Sequence, residues 1–223
     1  MKYFRAYSYW LLFSLIVAVA CVPYSSCVAQ SPVLPTSLRW YAEIAKQRGQ
    51  SAIQIGHIAQ PMQQRTPHEV VQQNDLVLGT IESSSQTNDD FVVFTWYRLR
   101  LAGTATTRLH MTASSDPREK TAEIAIPTAY KNLGENEILV RVRGGSTKVD
   151  GVAITQNTSV QMALNRKYLL FLKPLIGHVY EYGAETEPLP SKEDGTLALS
   201  SGSQFSKQFE KYPNVPSLFS EAR

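Results

Sequence analysis

From residue 75 onward, apolar and polar residues fall into short runs with the period of two that a β-strand imposes. Leu76-Val77-Leu78-Gly79-Thr80-Ile81 is an apolar run of strand length, and the polar stretch Ser83 to Asp90 reads as the loop after it. Phe91 to Leu101 predicts a long strand. Phe91, Val93, Thr95, Tyr97 and Leu99 point one way, and Val92, Phe94, Trp96, Arg98 and Arg100 the other, because successive side chains leave opposite faces. Ser114 to Lys120 reads as a charged loop, Glu123 to Ile126 as a short strand and Tyr130 to Glu137 as a turn. Ile138 to Arg143 alternates again, and Gly144-Gly145 ends it. Val149-Asp150-Gly151-Val152 predicts a hairpin, since Asp-Gly readily supplies the positive φ of a tight turn. Tyr168 to Leu172 is the most hydrophobic of these strands, which places it centrally, with Pro174 closing it. Val179 to Tyr182 and Thr196 to Leu199 complete the set. Short strands between turn signals predict a mainly β fold, an antiparallel small barrel or sandwich, with one or two short N-terminal helices.

Those helices show the other period. Ser37 caps a predicted helix to about Arg48, with Leu38, Tyr41, Ala42 and Ala45 on one face and Gly49 as its stop. Trp40 and Tyr41 are expected to pack against the domain. Residues 50 to 65 are rich in Gln and Ala and show no clear period. Thr66, Pro67 and Glu69 then form a capping box that opens a helix of about two turns, ending near Asn74.

The N-terminus has a different texture. Lys2 and Arg5 precede an uncharged apolar run, Trp10 to Val22, too short for a comfortable membrane span and suited to a secretory signal. Cleavage after Ala29 would start the chain at Gln30 and remove both cysteines, leaving no disulfide; an uncleaved anchor is the alternative. Ala18-Val19-Ala20-Cys21 also looks like a lipobox, and lipidation of Cys21 would tether the domain to a membrane face. The organisation expected is a signal peptide over 1–29, a linker and helix over 30–65, a barrel-like domain over 66–200 and a surface tail over 201–223. That tail is polar, with Phe205, Phe209, Tyr212 and Phe219 giving it partial order.

Three stretches carry a resemblance: residues 75 to 81, residues 140 to 152 and residues 165 to 172. Their order resembles a group of uncharacterised bacterial secreted β domains and, more distantly, netrin-like and tissue-inhibitor modules built on an OB-type barrel. The resemblance spans about residues 70 to 183 and implies a barrel-like fold in an extracytoplasmic setting, with no activity attached. Tissue inhibitors depend on an N-terminal cysteine and a disulfide framework that a chain starting at Gln30 lacks, so no inhibitory residue carries over.

Candidate chemistry is sparse. The net charge of +3 falls to +1 once Lys2 and Arg5 are subtracted (3 − 2), too even for a nucleic-acid surface. His68-Glu69 begins like a zinc-protease helix, but Gln72 stands where the second imidazole belongs. The four histidines, His57, His68, His110 and His178, are dispersed. A hydrolase would need one of His57, His110 or His178 to meet a carboxylate or serine in space. No nucleophile elbow or phosphate loop is present, and no cofactor or metal is expected. Trp96 with Arg98 and Arg100 is the candidate binding surface, set against the alternative that Trp96 and Phe94 fill the core. Asn157-Thr158-Ser159 matches a glycosylation acceptor. The expected function is an exported, non-enzymatic β domain binding a protein or cell-envelope component; a secreted hydrolase and a structural envelope lipoprotein are the alternatives.

Overall fold

A computed structural model describes residues 36–56, 66–103, 126–157, 160–182, 186–212 and 214–221. The cysteines, the signal and lipobox motifs, His57, His110 and the 114–120 loop lie outside them. In chain order the elements are α1 (Leu38–Gln47), β1 (Ala52–Ile55), α2 (Pro67–Gln73), β2 (Asp75–Asn88) and β3 (Val93–Leu101). A 3₁₀ turn (Thr128–Tyr130) leads to β4 (Glu137–Arg143), β5 (Gly145–Val149), β6 (Val152–Gln156), β7 (Lys167–Ile176), β8 (Val179–Tyr182) and β9 (Leu189–Ser191). Two short helices, α3 (Gln204–Gln208) and α4 (Val215–Glu221), follow.

Five strands close into a barrel. β2 pairs with β3, β3 with β4, β4 with β8, β8 with β7, and β7 returns to β2. Counted from its first strand, the order around the barrel is 1-2-3-5-4-1, the connectivity of an OB-type fold. All pairs are antiparallel except β4 with β8. Those two strands are separated by a long crossover, which allows the parallel arrangement that a tight hairpin forbids. Closure depends on β2, whose residues 75–80 pair with β7 and residues 79–88 with β3, across a register shift between Ile81 and Ser83. Gly79 stands where the two pairings overlap. A Cβ there would lie 2.9 Å from the Arg100 carbonyl oxygen, so only glycine lets the strands come this close.

Alternate residues of the five strands fill the interior: Val77 and Ile81, Tyr97 and Leu99, Ile138, Val140 and Val142, Leu170 and Leu172, Tyr180 and Tyr182. Burial disfavours the phenolate, and the Tyr180 hydroxyl is pushed up to about 12, with Asp75 adding to the effect. A second, three-stranded sheet, β1-β6-β5, joins β1 parallel to β6 and is covered by α1 through Leu38, Ala42 and Ala45. The caps of both early helices are as the sequence predicts. Ser37 Oγ accepts from the Trp40 amide at 3.1 Å, and Thr66 and Glu69 form the reciprocal box. Asp150 and Gly151 both take positive φ in the β5–β6 hairpin, with Val149 opposite Val152.

Five local expectations give way to tertiary structure. Residues 83–88 are strand, not loop, because β3 pairs with them along their whole length. β7 runs through Pro174, which a register shift between Pro174 and Ile176 accommodates without a missing ladder bond at the centre. The strand after β8 is Leu189–Ser191, while Thr196 and Leu197 make only isolated bridges. β1 forms where no period was visible, held by its pairing with β6. The C-terminal segment is not a surface tail: Phe205, Phe209, Tyr212, Val215 and Leu218 are buried against Leu76, Leu78, Leu169 and Phe171 on the outside of the barrel.

Candidate functional site

The outer face of β3 and β4 carries the residues first singled out, and the fold treats them differently. Trp96 is 1% exposed and packs with Tyr130, Leu139 and Val179. Its Nε1–H donates to Thr87 Oγ1 at 2.7 Å, so both its ring and its polar edge are committed to the fold. Trp96 is therefore no part of an exposed surface; the segment around Tyr130 covers it. Arg98 is ion-paired with Glu137 and lies 3.9 Å from Glu82. Arg100 pairs with Glu82 while remaining largely exposed. Across β4, Arg141 and Arg143 share Glu181 at 3.2 and 3.3 Å, and the Arg141 guanidinium lies 4.8 Å from the Phe94 ring centre. This face holds two ion-pair groups, Arg98 and Arg100 with Glu82 and Glu137, and Arg141 and Arg143 with Glu181, so much of its charge is neutralised internally.

One member of these groups has a pH signature. The Arg98 hydrogen bond, helped by the Gly134 amide at 2.6 Å, holds the Glu137 carboxyl below its ordinary value. A depressed carboxyl contributes stability above its unfolded-state pKa and loses it as pH falls through the folded value. Glu137→Gln is expected to cost about 1 kcal/mol or less at neutral pH, and the difference is expected to disappear at an acid pH below the depressed carboxyl value. Urea unfolding of both proteins at the two pH values checks this; an equal loss at both would assign the effect to packing.

The structure assembles a different site at one mouth of the barrel. A pocket of about 380 Å³ opens where the second half of β2 and the middle of β3 face the β5–β6 hairpin and residues 161–162. Its floor is the Tyr97 ring and Met162, both 6% exposed. The Tyr97 hydroxyl takes a hydrogen bond from the Met162 backbone, and burial raises its pKa, so it stays neutral at physiological pH. The walls are Ser84 and Gln86 from β2, Thr95 from β3, Ser146 from β5, Thr155 and Gln156 from β6, and the amides of Asn157 and Gln161.

Internal hydrogen bonds hold these walls in place. Gln156, almost fully buried, accepts from the Val93 amide at 2.7 Å and ties the hairpin to the start of β3. Thr95 Oγ1 donates to the Gly144 carbonyl at 2.8 Å, and Ser146 and Thr155 hydroxyls lie 3.0 Å apart across the hairpin. Gln54 Nε2 donates to Asn157 Oδ1 at 2.6 Å. Gly144-Gly145, which reads in sequence as a strand end, is the link by which the chain leaves the barrel for the second sheet. Gly145 has φ +133°, and a Cβ there would meet Thr95 Oγ1 at 2.6 Å and Gln86 Nε2 at 3.1 Å. Gly145→Val is expected to destabilise the protein by about 2–3 kcal/mol, combining backbone strain with overpacking. Denaturant unfolding measures it; a loss below about 0.5 kcal/mol would mean the pocket wall is not held as described.

Among the described residues, the pocket lining contains no carboxylate, imidazole, thiol or cation. His68 and His178 are exposed and far apart in the chain, and neither makes a side-chain hydrogen bond or ion pair among the described residues. Sequence reasoning missed the pocket because its walls come from segments near 84–97 and 145–162, each unremarkable alone. The available signal was an excess of Ser, Thr, Gln and Asn at strand positions, in particular Ser83 to Asn88 and Thr155 to Asn157.

Fold and site together define an OB-type barrel with an uncharged polar pocket at one mouth. Comparison with protein-family models, with curated proteins and with solved structures finds no match. Residues 75–81, 140–152 and 165–172 fall on β2, on β4 through the β5–β6 hairpin, and on the start of β7.

Proposed function

We propose that this chain is an exported, non-catalytic binding domain for a protein or cell-envelope component, with the barrel-mouth pocket as its ligand site. The observation that carries this reading is the pocket lining: amides and hydroxyls anchored by hydrogen bonds over an apolar floor, with no carboxylate, imidazole or thiol among the described lining residues to activate a hydroxyl. Such an arrangement suits binding and orienting a polar ligand. Its volume lies at the lower end of the roughly 300–1,000 Å³ of small-molecule sites. Export is supported by the cationic start, the apolar run Trp10 to Val22 and the small residues before Gln30.

The test is co-sedimentation of the purified protein with isolated cell envelopes. Saturable binding is expected, weakened about tenfold or more by Gln86→Ala combined with Thr155→Val, since two wall contacts are removed. Envelope binding unchanged in that variant removes the pocket from the reading, and turnover of a small substrate by the pure protein removes the non-catalytic part. Intact mass of the exported form distinguishes a chain starting at Gln30 from one acylated at Cys21.

A further inference from the structure

The pocket's chemistry narrows the ligand further. Every polar side chain on its described walls is an amide or a hydroxyl, and each of those both donates and accepts hydrogen bonds. Groups of that kind match ligand hydroxyls, which also do both. They match an ammonium or a carboxylate poorly, because a charge drawn into the pocket would lose water without meeting an opposite charge. The floor adds a second requirement. Tyr97 and Met162, both nearly fully buried, line the bottom of the pocket and add aromatic and thioether surface beside the polar walls, which suits apolar C–H contacts. A ligand that fits must be uncharged, carry hydroxyls around a rim and expose an apolar C–H face.

We infer that the pocket takes a neutral saccharide, a monosaccharide or the end of a short glycan. The inference rests on the pocket being the ligand site. Pyranose rings combine a hydroxyl rim with axial C–H faces, and one or two rings fit a volume of about 380 Å³. The alternating direction of strand side chains suits this use. Thr95 and Tyr97 point inward from the same face of β3, while Gln86 and Ser84 do so from β2, giving donors on two sides of one space. Most of the wall hydroxyls and amides belong to strands rather than loops, so they are already fixed before a ligand arrives, which limits the ordering cost of binding.

The experiment is NMR titration of the full protein with cellobiose, maltose and N,N′-diacetylchitobiose, alongside a glucuronate-containing disaccharide and glucosamine as charged counterparts. At least one neutral sugar is expected to shift the amides of Thr95, Tyr97 and Gly145, and to bind about tenfold or more weakly to Gln86→Ala with Thr155→Val. The charged counterparts are expected to bind about tenfold or more weakly than the neutral sugar. Charged sugars binding as well as neutral ones, or no neutral sugar shifting the pocket amides, overturns the inference. If no sugar binds while the double variant still loses its envelope, the pocket remains the ligand site and only the saccharide assignment fails. If the double variant keeps its envelope, the pocket itself is the wrong site. Unchanged amide dispersion of the variant shows that it is folded in either case.

Discussion

Phe209→Ala is expected to lower the unfolding free energy by about 3–5 kcal/mol, a large share of the stability of a domain of this size. Phe209 is fully buried, with ring centres 4.9 Å from Phe205, 5.4 Å from Phe171 and 6.3 Å from Tyr212. Truncating it leaves a cavity bounded by strand β7 on one side and by the two C-terminal helices on the other, and neither side can collapse freely. The outer faces of β2 and β7 carry Leu76, Leu78, Leu169 and Phe171, which among the described residues are covered by α2, β9, Leu197, Leu199 and the C-terminal segment. A surface tail would tolerate the same change within about 0.5 kcal/mol. Chemical denaturation of wild type and variant decides between them, and a loss that small would detach the segment from the core.

Trp96→Ala is the second change of this size, again about 3–5 kcal/mol. The side chain is 1% exposed and its indole N–H is satisfied by Thr87, so the variant loses ring packing and leaves the Thr87 hydroxyl without its partner. Arg100→Ala, on the same strand face and largely exposed, is expected to stay within about 0.5 kcal/mol because its pair with Glu82 is mostly solvated. A binding platform would behave the other way, with Trp96 dispensable for folding and both residues needed for a partner. Parallel unfolding curves for the two variants separate these outcomes, and a Trp96→Ala protein as stable as wild type would place the indole at a surface after all.

The contrast between Trp96 and Arg100 shows how far local pattern reaches. The period of two along β3 correctly put both on one face, opposite Tyr97 and Leu99. It could not say that residues around Tyr130 would fold over one end of that face and leave the other end open, because that depends on a segment more than thirty residues away. The same limit explains residues 83–88. Apart from Thr87, the segment's serines, Gln86 and Asn88 have no strong strand preference, and it becomes strand because β3 supplies a ladder beside it. Buried aromatics after residue 202 looked like a polar segment's stray apolar residues until a matching outer face on β2 and β7 was present to receive them.

The sequence by itself determined the mainly β class, the two helix caps, the Asp-Gly hairpin and the strands β3, β4, β7 and β8 to within a few residues. Those follow from local physics: side-chain period, satisfaction of exposed helix amides, and the positive φ that glycine tolerates. Tertiary structure decided barrel closure, the parallel pairing of β4 with β8, the burial of the C-terminal helices and the pocket. Each of these requires strands distant in sequence to find their register. The pocket in particular exists only as the gap left when a five-stranded barrel and a three-stranded sheet share the Gly144-Gly145 link, and no single segment encodes a gap.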